Sequence, residues 1–572
     1  MAKKIITSQK GNYAGTKAAD ALTVRGSRNT VRAGRGNDII SIAAGSGHKI
    51  YGEAGKDRIT LGRNAGTGMN IYGDDSGNKI TGNDTIVING GKRNKIFGGK
   101  GADTFIINGG SSNYLYGGTG NDTFVIGKNS TGTAIVRDFH DVEGNTDKVR
   151  IEGVLKKMRS SGKNVIITGG RSGSLTLASA IMDTIRLQDN RGNYTVSDTA
   201  IKLGRNFKGH LNTNAFMPYI KSISGTAGND VITVSGGSEM EVFTGGGDDR
   251  ISVAKGNGHC IDSGKGNDRV TVSSDKGVEV FTSVGNDTVI INGGSGHIIN
   301  SGGGSDKIYI NKGGDHFVSK AALEPFNGSE YVKIGKDAGN NIEVLSSGEQ
   351  RGDETIVVDG GSGHWIQLGN TGKQRVVINS GNENEIRLGG GTGYAGITVN
   401  GGNKNHISCT GAAAGTTYDI KVLKGSGHSV TIERYTDSSD ANITVAAKDV
   451  TLDLGNTFNN SNNVMVEWSD QIGTLFIDTY KDFDSSGPDS YLTIKGANSG
   501  SFQLTKFTEV IYSDPVNGDV SGLVGLCLTD VNSPGCQIKI SKWFSEQQFS
   551  GITFGNGEFL SYYDINAKFS GI

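Results

Sequence analysis

Along most of the chain, polar and apolar residues alternate over four or five positions and then give way to a glycine-rich turn. Alternation of this kind sends every second side chain to the same face of a β-strand. Segments from distant parts of the chain overlay directly: GGKGADTFII ending at Ile107, GGTGNDTFVI ending at Ile126, GTAGNDVITV ending at Val234 and SGKGNDRVTV ending at Val272. They share the frame G-G-x-G-x-D, then x-apolar-x-apolar. The residues two and four after the aspartate therefore point inward, as at Ile40 and Ile42, Phe105 and Ile107, or Ile232 and Val234.

The turn aspartates fall at Asp38, Asp57, Asp84, Asp103 and Asp122, and again at Asp230, Asp249, Asp268, Asp287 and Asp306. Seven of the eight intervals within these runs are 19 residues; the exception, Asp57 to Asp84, carries an eight-residue insertion near Gly73-Asp74-Asp75-Ser76-Gly77. Halfway round each unit lies a second turn without aspartate, such as Gly45-Ser46-Gly47-His48, Gly91-Lys92-Arg93-Asn94 or Gly294-Ser295-Gly296-His297. One unit is thus one coil of two strands, and on the second strand Ile50, Ile96, Leu115, Ile261 and Ile299 point inward. The predicted fold is all-β, a parallel β-solenoid with about 19 residues per coil.

The pattern divides the chain into five regions. Residues 1–127 hold an N-terminal cap and the first aspartate-bearing block, and residues 221–320 hold the second. Between them, residues 128–220 read as a strand-rich insert or linker, with a weak helical signal at 153–159. In residues 321–455 the coils persist while the carboxylate decays: Glu330, Glu354, Gln374 and Ala395 take its place. Residues 456–572 change character and form a C-terminal β module, where Trp468, Trp543 and three of the five prolines gather.

Composition supports a repeat architecture. Glycine supplies 92 of 572 residues, proline five, and aromatic residues 7%, which fits short strands joined by tight turns better than ordinary globular cores. A net charge of −1, from 57 basic and 58 acidic residues, gives no electrostatic case for nucleic acid. No apolar run reaches the ~18 residues of a transmembrane helix. The start, Met1-Ala2-Lys3-Lys4-Ile5-Ile6, lacks the apolar stretch of a Sec signal peptide, so export is expected by another route. Cys527 and Cys536 flank a Pro-Gly turn, and both a short disulfide loop and a pair of free thiols fit that spacing.

Two or three apolar side chains per coil make a thin core. At ~25 cal/mol per Å² of buried apolar area, against ~1–2 kcal/mol of backbone entropy per residue, such a core does not fold alone. The turns supply the remainder. Glycines let the backbone curl so that carbonyl oxygens face inward, and the aspartate adds a carboxylate, giving the oxygen-only cage that a hard cation prefers. The expected ligand is Ca²⁺. The candidate metal residues are the ten aspartates above with the turn glycines Gly36, Gly55, Gly101, Gly120, Gly228, Gly247, Gly266, Gly285 and Gly304. Carboxylates stacked ~5 Å apart repel one another until a cation bridges them, which makes binding energy into folding energy. The expectation is one column per block on one side of the solenoid, with about four bridged gaps among five turns, filling near millimolar calcium.

These turns resemble the RTX (repeats-in-toxin) family, whose nonapeptide is G-G-x-G-x-D-x-U-x with U large and apolar. The resemblance covers roughly residues 20–127 and 221–320. It implies a parallel β-roll with calcium in its turns, a secreted, extracellular location, and export through a type I secretion machinery. It also assigns Ile135–Phe139 with Asp147–Ile151 to the closing of a run, and Ile538–Phe544 with Ile552–Gly557 to a strand pair near a secretion signal. The chain departs from the family in carrying aspartate on alternate turns only and in its balanced charge.

Chemistry beyond the cation is sparse. Histidines recur in the aspartate-free turn at His48, His259, His297, His364 and His428, but Asn94, Asn113 and Met240 occupy the same place in other coils, so they read as turn residues bonding nearby backbone. No histidine precedes a glutamate, which removes H-E-x-x-H, and no G-x-S-x-G elbow occurs; S-x-x-K at Ser160 and Ser273 falls in polar turns. The chain is accordingly read as no enzyme. Outward positions mix Thr104, Arg58, Ser252, Arg269 and Lys307, too irregular for an ice-binding face. The expected function is structural: a cell-surface protein that self-associates into a surface layer or filament after calcium-induced folding. The alternative is an adhesin or carbohydrate binder, with cell-surface polysaccharide as partner and the solenoid as stalk.

Overall fold

In a computed structural model, the described residues are 2–75, 77, 81–139, 146–180, 184–197, 199–216, 220–320, 328–346, 352–369, 372–389, 393–410, 416–433, 440–456, 462–469, 471–480, 490–514, 518–541, 543 and 549–570. They form a β-solenoid of about 20 turns and about 21 residues per turn. The mean exceeds 19 because only the aspartate blocks keep the tight period. Partners in the column are 27 residues apart across the insertion and 25 apart at the end of the first run. The residues expected to face inward do so: Ile40, Ile42, Phe105, Ile107, Ile232, Val234, Ile50, Ile96, Leu115, Ile261 and Ile299 are each at most 1% exposed.

The chain divides into two units, Met1–His259 and Cys260–Ile572. In the first unit, strands that follow an aspartate turn (Ile39–Gly45, Arg58–Ala65, Thr85–Ile88, Thr104–Ile107, Thr123–Ile126) pair in parallel as one sheet. Strands that follow the other turn (Thr30–Arg35, Lys49–Ala54, Asn70–Tyr72, Lys95–Lys100, Asn113–Thr119) pair as a second. Stacked coils place like residues over like, so Phe105 stacks on Phe124 with ring centroids 5.1 Å apart.

Residues 128–220 continue these sheets and then alter them. Lys157–Ser161 is a strand, not the helix suggested at 153–159. It runs antiparallel to Asn164–Gly169, which runs antiparallel to Gly173–Leu177. Ile185–Asp189, Gly192–Val196 and Ala200–Leu203 form an antiparallel meander within the first sheet. When coiling resumes, Ser222–Ser224 and Glu241–Phe243 extend that sheet, while Val231–Val234 and Arg250–Val253, the strands after Asp230 and Asp249, pair in a different one. The shared sheet thus has its aspartate turns at the N-terminal ends of its strands before the meander and beyond their C-terminal ends after it. The expectation of aspartates along one side fails here: the meander moves them to the opposite end of the sheet.

In the second unit, two parallel sheets run on past the last aspartate. Asp306, Glu330, Glu354, Gln374, Ala395 and Tyr418 occupy successive places in one register. The decay of the carboxylate read from the sequence is therefore a decay along one physical column. In the last region the coils continue through Asn462–Glu467 and Ser490–Lys495 to Phe549–Phe554. A long antiparallel hairpin, Phe502–Asp514 with Gly518–Asp530, and a short helix, Tyr562–Ala567, accompany them. No helix among the described residues is long and apolar enough to cross a membrane. Cys527 and Cys536 are both buried, and no disulfide joins them in the structure.

Candidate cation column

Asp38, Asp57, Asp84, Asp103 and Asp122 stand one above another, each at most 2% exposed. The geometry links every one to the next. The backbone N–H of Asp38 donates to Asp57 Oδ1 at 2.7 Å, Asp57 to Asp84 at 2.8 Å, Asp84 to Asp103 at 2.6 Å and Asp103 to Asp122 at 2.8 Å. The column exceeds its predicted ends, because Asp20 N–H donates to Asp38 Oδ1 at 2.6 Å and Asp122 N–H to Asp147 Oδ1 at 2.8 Å. The same bond joins Asp230 to Asp249 at 2.7 Å, Asp268 to Asp287 at 2.7 Å and Asp287 to Asp306 at 2.9 Å.

One carboxylate oxygen is thereby used and the other is not. Oδ2 of Asp38, Asp57, Asp84, Asp103 and Asp122 is buried with no hydrogen-bond partner. Around Asp57, Asp84, Asp103 and Asp122 it lies in a cradle that only glycine leaves open, whereas Ala33 stands at the matching place before Asp38. A Cβ added at Gly98 would stand 2.3 Å from Asp103 Oδ2 and 2.6 Å from the Gly117 carbonyl oxygen; one at Gly73 would stand 2.2 Å from Asp84 Oδ2 and 2.5 Å from the Gly98 carbonyl oxygen. Buried oxygens of one polarity facing each other are costly unless a positive partner joins them.

The opposite turn of each coil shows the neutral version of the same device. Asn94 N–H donates to Asn113 Oδ1 at 3.1 Å, and Asn113 Nδ2 completes the arrangement by donating to the Gly91 carbonyl at 3.3 Å. Histidines substitute for asparagine there: Nδ1 of His48 accepts the Asn29 N–H at 3.2 Å, and Nε2 reaches the Ala44 carbonyl at 3.3 Å. His259, His297, His364 and His428 repeat this arrangement. The turn-residue reading of the histidines holds, and their Nδ1 bond runs between coils. Where asparagine or histidine presents an N–H to a carbonyl, aspartate presents a second oxygen.

The carboxyls respond to this setting. Burial, reinforced by neighbouring carboxylates, pushes Asp57 up to about 7, Asp84 to about 8, Asp103 to about 9 and Asp122 to about 7. In the second unit burial raises Asp287 to about 7 and Asp306 to about 6. Two further acids join the first column. Asp74, from the insertion, is 1% exposed, accepts the Lys100 N–H at 2.7 Å and leaves Oδ1 without a partner. Asp138 accepts the N–H groups of Gly117 and Gly118 at 2.9 and 3.0 Å. Burial raises both.

Among the described residues no three His, Cys, Asp or Glu side chains gather as a metal cluster. The available donors are one or two carboxylates per gap and glycine carbonyls, a set that suits a proton or a hard cation and not a soft metal. Of the predicted turn glycines, Gly36, Gly55, Gly101, Gly120, Gly247, Gly266, Gly285 and Gly304 have positive φ. They also make close contact between coils: a Cβ on Gly101 would fall 1.8 Å from the Gly82 carbonyl oxygen. Gly228, at the start of its block, lacks the positive φ, and a Cβ there would meet only Thr226 Oγ1, at 3.8 Å.

Comparison with protein-family models gives no match, and comparison with curated proteins gives none. The reading of this chain rests on its own turns. Sequence reasoning missed Asp20 and Asp147 because their turns lack the full glycine frame, although Asp147-Lys-Val-Arg-Ile keeps the alternation that follows it. Asp74 lay hidden in an insertion that looked like an interruption.

Proposed function

We propose that this chain is a secreted structural protein of RTX type whose coils fold around Ca²⁺ and then assemble at the cell surface. The observation that carries this reading is the row of buried Oδ2 atoms that face glycine carbonyls without a proton donor. Asp38, Asp57, Asp84, Asp103 and Asp122, with Asp74 and Asp138, would hold the ion in the first unit together with turn carbonyls; Asp230 and Asp249 would follow after the meander, and Asp268, Asp287 and Asp306 in the second unit. A bound divalent cation supplies the charge that lets these acids ionise inside the protein. The residues do the rest: Oδ1 bonds the coil before, the glycines keep side chains out of the cradle, and the apolar rows exclude water. Export through type I machinery and an extracellular location, where calcium is abundant, follow from the RTX resemblance.

Assembly is the part of this reading that electron microscopy tests. Calcium-loaded protein is expected to form sheets or filaments that disperse on chelation. A carbohydrate-binding stalk is the second reading, favoured by a cleft of about 400 Å³ in the first unit whose lining includes three cations, Lys148, Arg186 and Lys202, suited to an acidic polysaccharide. Monodisperse particles that bind a uronic-acid polysaccharide would decide for it and against assembly.

A further inference from the structure

Among the described residues of the second unit, one cation is buried. Lys320 ends the strand Phe317–Lys320 and is 3% exposed. Its Nζ donates to the carbonyl oxygens of Gly304 and Gly328 at 3.4 and 3.0 Å. These two glycines occupy the same place in successive turns, each two residues before the acid of its coil, Asp306 and Glu330. The ammonium therefore bridges two turns through the carbonyl row available to a bound cation elsewhere in the column, and its charge acts on the carboxyls of Asp306, Glu330 and Glu354.

The row to which Lys320 belongs changes in step with the acids it faces. Following the register coil by coil, the row reads Ser263, Thr282, Ser301, Lys320, Ser346, Leu368, Leu388, Cys409 and Ile432. Opposite it stand Asp268, Asp287, Asp306, Glu330, Glu354, Gln374 and Ala395. Hydroxyls face the aspartates and, at Ser346, Glu354; the lysine stands where aspartate gives way to glutamate, and apolar side chains begin where the carboxylates end. Ser301 Oγ donates to Glu330 Oε1 at 3.3 Å, and Ser346 Oγ bonds Glu354. After Asp306 the coil-to-coil bond changes too: the N–H groups of Asp306, Glu330 and Glu354 donate to the backbone carbonyls of Ser329, Asp353 and Lys373. Without the lysine, Glu330 and Glu354 would be buried acids with no positive partner.

We propose that the Lys320 ammonium is a tethered cation that takes the place of a metal ion between the Asp306 and Glu330 turns and so terminates the metal column. This rests on the cation-column reading given above. The coils carrying Glu330 and Glu354 then hold their acids with no exogenous ion. A lysine buried with carbonyl and carboxylate partners carries its charge as part of the fold, whereas a bound ion is lost whenever calcium is scarce.

The test uses the full chain with Lys320→Met, which keeps the length of the side chain and removes its charge, and Lys320→Arg, which keeps the charge. Thermal melting is followed in chelator at pH 8 and pH 5, then with calcium. In chelator at pH 8, Lys320→Met is expected to melt about 5–10 °C below wild type, and Lys320→Arg closer to it. At pH 5, where burial-raised Glu330 and Asp306 hold protons, the deficit should shrink. In millimolar calcium Lys320→Met should recover and bind one ion more than wild type. A deficit equal at both pH values and unrelieved by calcium would reduce Lys320 to a packing residue and overturn the proposal, as would wild-type melting of Lys320→Met in chelator at pH 8. Wild-type protein that binds no calcium would defeat the column reading alone, and the pH contrast between the two variants would still decide the role of Lys320.

Discussion

Asparagine at position 103 is expected to stabilise the calcium-free protein and to destabilise the calcium-loaded one. Asp103 has its carboxyl pushed up to about 9 by burial and by Asp84 and Asp122. One pKa unit corresponds to about 1.4 kcal/mol, so holding that site together at pH 8 costs the calcium-free fold at most about 6 kcal/mol. Asparagine removes this cost and keeps the bond that matters between coils. Its Oδ1 accepts the Asp84 N–H, and its Nδ2 donates to a glycine carbonyl, as Asn113 does on the opposite turn. With calcium present the same change deletes a ligand shared by two gaps, so the loaded protein should lose one or two ions and melt several degrees lower. Differential scanning calorimetry of Asp103→Asn with and without chelator reads both signs. Lower melting in both conditions would mean that the carboxylate is needed for packing alone.

The second large effect is a reversal of pH dependence by calcium. In the calcium-free protein Asp57, Asp84, Asp103, Asp122, Asp287 and Asp306 are pushed by burial to about 6 to 9 from the ordinary 3.8, so the folded state holds more protons than the unfolded one above pH 3.8. Stability must then fall as pH rises through that range. The histidines oppose this at the acid end. Burial lowers His48, His259, His297, His364 and His428, and lowers His316 to about 4, with His297 stacked beside it at 4.9 Å. Their Nδ1 atoms accept backbone N–H groups, and a proton there breaks the bond. Below pH 6.5 the unfolded state takes up those protons first, so the histidine contribution is lost as pH falls from about 6.5 toward 4. From pH 6.5 to 9 only the carboxyls act: melting in chelator should decline steeply across that window. With calcium in place of the protons, the same window should be flat and the decline should appear on the acid side. A chelator profile that rises from pH 6.5 to 9 would show that the aspartates are not held as described.

The strands were legible because a 19-residue period and a two-residue alternation are both local. Once Asp38 and Asp57 are matched, Ile40 must lie over Ile59, and the structure places them so. The register beyond Asp306 was legible for the same reason, through Glu330 and Glu354. Other features depend on which coil lies next to which. The N–H to Oδ1 bond joins residues 18 to 27 apart, and nothing within one turn announces it. The meander at 185–203 reverses strand direction twice, and its apolar alternation is the same whichever way a strand runs. Asp74 sits in an insertion whose loop returns to the column, so its sequence position hides its neighbours. Lys320 was within reach: Val318 points inward, and alternation carries Lys320 to the same face. A lysine at the end of a strand is ordinarily solvated, and only the acids stacked on either side make burial favourable.

Far-ultraviolet circular dichroism at pH 8, recorded in chelator and then through a calcium titration, tests the central claim most directly. If the buried carboxylates couple folding to a bound cation, the strand signal of the aspartate blocks is reduced in chelator and melts at a lower temperature, and it is restored cooperatively near millimolar calcium. The same strand spectrum and the same melting temperature in chelator and in calcium would contradict it.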